Sequence, residues 1–351
     1  MTSASKRLGL IGALLAVLLF AVACTSDEPE PAEPEPESAA PEEDAPPICP
    51  LTGEDPPKGV DTARPAVALK IENSPDSRPQ TGLDQADIVY EEIVEGGVTR
   101  FMAIYHCHDA AEGGPVRSAR FDDPKIAKPF TRILAFSGAN SIVINELKKQ
   151  KLIALDETNA SGPLFRVPPG STDVHSVFAN TVQLRKLGKK KGKGKAGPPN
   201  DSFFEFGDIP DGAGKVKSVT LNFNPSNEIM WRWKGDKWVR FEAGVPFNSS
   251  GGQQIGTPNL LVQEVEVNNS TSITDVAGNP SPDIELNGKG RAFLFRDGRL
   301  VRGTWKANKE GVPSFETNSG DPLTFEVGST WIELLPSKKG NVAGSIKISK
   351  K

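Results

Sequence analysis

The chain has 351 residues, of which 41 are basic and 45 acidic, for a formal charge of −4. Setting aside Lys6 and Arg7 at the N-terminus leaves 39 basic residues, and setting aside the nine acids of residues 27–44 leaves 36 acidic ones, so the remainder carries about +3. So mild a balance excludes nucleic acid as an expected partner.

Lys6 and Arg7 precede an apolar run from Leu8 to Ala23, then "AVA" and Cys24. Charge, apolar stretch and small residues before a processing point are the parts of a secretory signal. The run is shorter than the ~20 residues that span a bilayer. A cysteine at the junction is the residue that a lipoprotein signal lipidates, so residues 1–23 read as a lipoprotein signal peptide. Cys24 then reads as the membrane anchor on the extracytoplasmic side. Residues 24–48, rich in proline and acid and without large apolar side chains as far as Pro47, are expected to be a disordered stalk, because they cannot bury enough surface to fold. With Cys24 lipidated, Cys49 and Cys107 remain, and an exported protein with an even pair predicts one disulfide.

From Arg64 onward, β-like runs ("PAVALKI", "ADIVYEEIV", "VTRFMAIYHC") alternate with helical ones ("SARFDDPKIAKPF", "NSIVINELKKQ"). A further helix is predicted at "HSVFANTVQLRKLG", capped by Ser176. Residues 49–188 thus read as a mixed α/β domain. The basic, Gly-rich residues 189–207, with Lys189, Lys190, Lys191, Lys193 and Lys195, read as a linker. A sharper reading of those lysines is contact with anionic wall polymer or lipid head groups. Residues 208–351 carry alternating runs and Asp297-Gly298, a strong hairpin signal, and predict a mostly antiparallel β domain. The fold class expected is therefore α+β.

"YEEIVEGGVTRF", Tyr90 to Phe101, predicts a strand, a glycine turn and a strand, with Glu92 or Glu95 bonded to Arg100. As catalytic candidates, Glu91 and Glu95 share a strand face but lie ~13 Å apart along it. That exceeds the ~5–9.5 Å of glycosidase carboxylate pairs. "GGPVRSAR" places Arg117, Ser118 and Arg120 after two glycines, chemistry suited to an anion. With Arg78 and Arg100 these form the candidate ligand pocket. His106, His108 and Asp109, with His175 as the remaining imidazole, fall short of a metal site, and no metal or other cofactor is expected. Trp231 and Trp233, on one face beside Trp238 at a hairpin, are candidates for stacking on sugar or peptide. For Trp305 and Trp331, core packing is the simpler reading.

"RPQTGLDQADIVYEEIVEGGVTRFMAIY", "GGPVRSAR", "GRAFLFRDGRLVRGTW" and "STWIELLP" together resemble the YerB-like bacterial lipoproteins, described as N- and C-terminal domains of unknown function. The resemblance runs from about Arg64 onward. It implies weight on Arg78, Pro79, Gln80, Asp87, Tyr90, Glu91, Glu95, Gly96, Gly97, Thr99 and Arg100, on Arg117, Ser118 and Arg120, and on His175. Around His175 the chain departs from the family's pattern, with Ser176 and Phe178 in place of Asn and Tyr. The family brings no settled reaction.

The sequence therefore predicts a membrane-anchored binding or scaffold protein of the cell envelope. Its expected partner is a cell-wall polymer or an envelope protein. One alternative is a wall glycan or peptide hydrolase using Glu91 or Glu95 with Arg117, Arg120 and His175. Another is an assembly partner for other envelope proteins.

Overall fold

The computed structural model describes residues 48–200, 203–308 and 311–350. The expected signal peptide, Cys24 and all but the last residue of the acidic stalk lie outside the described residues. Strands β1 (Val67–Glu72), β2 (Ile88–Ile93) and β3 (Thr99–Tyr105) are buried along their whole length. Strands covered on both faces are buried throughout, and here the burial extends to Lys70, Glu72, Glu91, Glu92 and Arg100. A 3-10 turn, Glu95–Gly97, joins β2 to β3, with Gly96 at φ 72° and Gly97 at φ 76°. "YEEIVEGGVTRF" is thus the strand, glycine turn and strand it was expected to be.

Next come α1 (Asp123–Ala127), β4 (Ile133–Ala135), α2 (Ser141–Lys149) and β5 (Ile153–Leu155). The helix expected across "SARFDDPKIAKPF" shrinks to the five residues of α1. Pro124 fits its first turn, but Pro129 cannot continue it. β6 (Leu164–Arg166) and β7 (Val177–Ala179) pair as a small antiparallel ribbon, and α3 spans Thr181–Gly192. The helix expected to start at Ser176 therefore starts later. Val177 and Phe178, better suited to a strand, go to β7, and the Asn180 side chain caps α3 by accepting from Gln183 N–H. At its far end α3 runs into the lysines assigned to a linker, because lysine is a good helix former.

The C-terminal half is built of β8 (Glu205–Phe206), β9 (Gly214–Asn224), β10 (Asn227–Lys234), β11 (Lys237–Glu242), β12 (Val245–Pro246) and β13 (Gly256–Thr257). There follow β14 (Asn259–Thr274), β15 (Pro280–Glu285), β16 (Lys289–Arg296), β17 (Arg299–Ala307) and β18 (Pro313–Thr317). β19 (Thr324–Phe325), β20 (Thr330–Pro336) and β21 (Ser345–Lys350) complete it. Asp297 (φ 52°) and Gly298 (φ 64°) make the β16–β17 hairpin, as their sequence predicts.

One mixed sheet runs through both halves in the order β5–β4–β1–β3–β2–β20–β14–β16–β17–β18. Its seam is the parallel pairing of β2 with β20, from Ile88 opposite Thr330 to Glu91 opposite Glu333. A second, antiparallel sheet, β21–β9–β10–β11, covers one face. Aromatic contacts tie the two, Trp231 to Trp331 (centroids 5.1 Å apart) and Trp238 to Phe295 (5.5 Å), and Phe247, just beyond β12, adds a contact to Phe101 (5.9 Å). The molecule is mostly β, and Pro46–Lys351 forms one compact unit. The Cys49–Cys107 disulfide, as expected, ties the entering chain to the end of β3.

Candidate functional site

Neighbouring side chains along β1, β3 and β2 point to opposite faces, and each face carries its own buried charges. On the first, pairing aligns Glu72, Arg100 and Glu92 across the three strands. Lys70 donates to Glu92 and to Asp123 (2.7 Å), Glu72 takes Arg117 and Arg100 (3.6 Å), and Glu95 takes Arg120 and the Ser281 hydroxyl. The Ser118 carbonyl accepts from Arg100 and Arg120. Burial lowers the Lys70 ammonium against the pull of Asp123, and burial followed by the neighbouring Arg120 lowers Arg100 to about 10. Glu72 is held below its ordinary value, because Arg100 and Arg117 outweigh its burial.

Lys70, Arg100, Arg117 and Arg120 are thus set against Glu72, Glu92, Glu95 and Asp123, and the group is neutral. Arg100 does not take Glu92 or Glu95 as its partner. Lys70 already holds Glu92, Arg120 holds Glu95, and Arg100 is left to its other cross-strand neighbour, Glu72.

On the opposite face Glu91 is fully buried and accepts from Arg240 at 2.9 and 3.0 Å and from the Thr99 hydroxyl at 2.6 Å. Arg240 continues to Glu242 (2.7 Å), and Glu242 takes Arg78. Glu333, beside Glu91 at the seam, accepts from Trp231 Nε1 at 2.6 Å. Burial, and next to it the charge of Glu91, pushes Glu333 well above the usual carboxylate range. Burial also raises Glu91, outweighing Arg240. This chain of charges reaches the surface at a small cavity of about 270 Å³ lined by Arg78, Pro79, Glu242 and Phe247.

Glu91 and Glu95 therefore belong to different networks, each in an internal ion pair, and do not converge in one cleft. His175 lies in the loop before β7, where its backbone N–H donates to Asp173, and no described contact links it to either glutamate. His106 is buried and its Nε2 meets the Arg64 carbonyl, while His108 Nδ1 meets Asp87 Oδ1 at 2.8 Å. The tryptophan platform is also corrected. Trp231 and Trp238 are fully buried, and Trp233 packs on Trp238 and over Gly298, because β10 and β11 turn their aromatic face to the other sheet.

The large cavity lies elsewhere, where β14, β15, β16, β17 and the turn after β20 meet. It holds about 1100 Å³. Trp305, 2% exposed, sits in its wall and donates Nε1–H to the Glu264 carbonyl. Gly290 lets β16 approach there, since a Cβ would fall 2.4 Å from that carbonyl and 2.6 Å from the indole nitrogen. Arg291 forks onto Glu264, whereas Lys289, Lys338 and Lys339 stand exposed at the rim. Glu266 and Glu285 face each other directly across β14 and β15, an unfavourable pairing of like charges. Residue typing missed this site. The available signals were Glu264 and Glu266 two apart on a strand and the Lys338–Lys339 pair after an apolar run.

Among the described residues no helix is long and apolar enough to cross a membrane. Residues 51–194 match the N-terminal domain, and residues 219–332 the C-terminal domain, of the protein of unknown function DUF3048. "Putative lipoprotein YerB" of Bacillus subtilis (strain 168) is 29% identical over 294 residues, which cover 82% of this chain and 86% of the relative. The crystal structure of the B. subtilis YerB protein superposes with a TM-score of 0.71 at 25% identity, covering 86% of this chain and 99% of that one. The two matched spans meet at the β2–β20 seam, and the chain belongs to the DUF3048 family of YerB-like proteins.

Proposed function

We propose that the protein is a lipid-anchored, extracytoplasmic binding protein of the cell envelope, and that the large cavity beside Trp305 is its ligand site. The anchor rests on Cys24 behind its apolar run and on the relative's description as a lipoprotein. The binding role rests on one observation: a cavity of about 1100 Å³ whose rim offers both charge signs, Lys289, Lys338 and Lys339 against Glu266 and Glu285. Ligand sites are commonly concave, with a few convergent polar groups on an apolar lining. A rim of both signs suits a ligand carrying amino and carboxylate groups, as wall peptides do. The arginines of "GGPVRSAR" serve in this reading to hold the sheet, being matched by internal carboxylates.

Co-sedimentation of residues 46–351 with purified peptidoglycan, followed by mass spectrometry of the supernatant, tests this. Glu266→Gln and Lys338→Gln should each weaken retention several-fold, and Arg117→Ala should leave it unchanged. Equal retention of wild type and both cavity variants removes the cavity from the account. Release of fragments that stops on Glu91→Gln or Glu95→Gln would establish the hydrolase instead.

A further inference from the structure

A second surface carries an uncompensated charge. β1 starts at Val67, opposite Tyr105 at the end of β3, and the parallel strands β4 and β5 start beside it at Ile133 and Ile153. α3 crosses this end of the sheet. Arg185 donates to the Pro65 and Tyr105 carbonyls, Gly188 lies against Ile133, and Gly192 lies against Ile153. The glycines let the helix approach, since a Cβ at either would fall 2.6 or 2.5 Å from the isoleucine Cδ1.

The last turn of α3 and the residues after it therefore hold Lys189, Lys190, Lys191, Lys193 and Lys195 over the strand starts, all exposed. Arg132 directly precedes β4, Lys151 stands two residues before β5, and Lys148 and Lys149 end α2. Across residues 124–155 and 181–200 the one carboxylate is Glu146, which pairs with Lys149. The described chain also enters at this end, because Cys49 is bonded to Cys107, two residues beyond Tyr105.

We propose that this lysine-rich end of the sheet docks on the surface of an anionic phospholipid bilayer, through the phosphates of its head groups. The tether side and the cationic side of the folded body coincide, which favours the bilayer over a polymer further out. Lysine ammonium groups close to an anionic surface attract it additively and only within about a Debye length, ~10 Å at 0.1 M salt. The exposed, mobile-stemmed lysines suit this use, since they keep their hydration and need no fixed partner.

The test uses residues 46–351, one compact unit with its own core, so that no lipid anchor contributes. Sedimentation compares vesicles of phosphatidylcholine alone with vesicles containing phosphatidylglycerol, at low and high salt. The wild type should partition at least tenfold more onto the anionic vesicles and leave them at high salt. The variant K189Q/K190Q/K191Q/K193Q/K195Q should lose at least tenfold of that partitioning while melting at the wild-type temperature. Equal partitioning onto both vesicle types, or an unimpaired variant, overturns the proposal. So does soluble polyphosphate binding the wild type as tightly as vesicles of the same phosphate concentration, which would assign the lysines to a soluble polyanion.

Discussion

At the centre of the sheet Arg117 and Arg120 each reach a buried glutamate, whereas at the end of α3 Lys189, Lys190 and Lys191 stand exposed in a segment without acids. The two regions have similar sequence signatures, basic residues among glycines, and opposite environments. A planar guanidinium can satisfy a buried carboxylate with several fixed hydrogen bonds, while an ammonium on a flexible stem is better left in water. The arginines of "GGPVRSAR" are thus interior framework, and the lysines read as a linker carry the exposed charge.

Breaking the inner region should cost most. Arg240→Ala leaves Glu91 buried without its cation, and loss of about 3–5 kcal/mol of stability is expected in denaturant unfolding, as for other broken buried pairs. An effect near zero would mean that Glu91 is protonated and indifferent to Arg240. Arg117→Ala removes a partner that is a quarter exposed, and Glu72 keeps Arg100. Solvent screening reduces the expected loss to about 1 kcal/mol.

A further effect is one of slope. Glu333 is raised in the folded state, so the stability it contributes when protonated is fully present below its unfolded value and is lost as pH rises through the folded value. Glu333→Gln should therefore gain on the wild type as pH is raised from about 4.5, the ordinary value for glutamate. Parallel stability curves for the two proteins would show that Glu333 does not titrate on its own in the folded state.

Much of the framework was legible. Apolar runs located β1, β2 and β3, the Gly96–Gly97 and Asp297–Gly298 pairs located their turns, and cysteine parity gave the disulfide. The partners of charged residues were not legible, because they come from distant elements: Glu91 takes Arg240, 149 residues away, and Trp231 takes Glu333, 102 away. Trp231 and Trp233 share a face as alternation predicts, but alternation cannot say which face another sheet covers. The break in composition at Lys189 marked a change of environment correctly and a change of secondary structure too early.

The β2–β20 seam also has a consequence in time. During synthesis β2 precedes its parallel partner by more than two hundred residues, since Ile88 pairs with Thr330. Non-local pairings of this kind form slowly, and an unpaired edge invites strands from other chains until they do. The N-terminal segment must therefore wait with that edge of β2 uncovered until almost the last strand arrives. The period before β20 is made is when that edge lies open, and slow delivery of residues 330–336 should favour aggregation over loss of the finished fold.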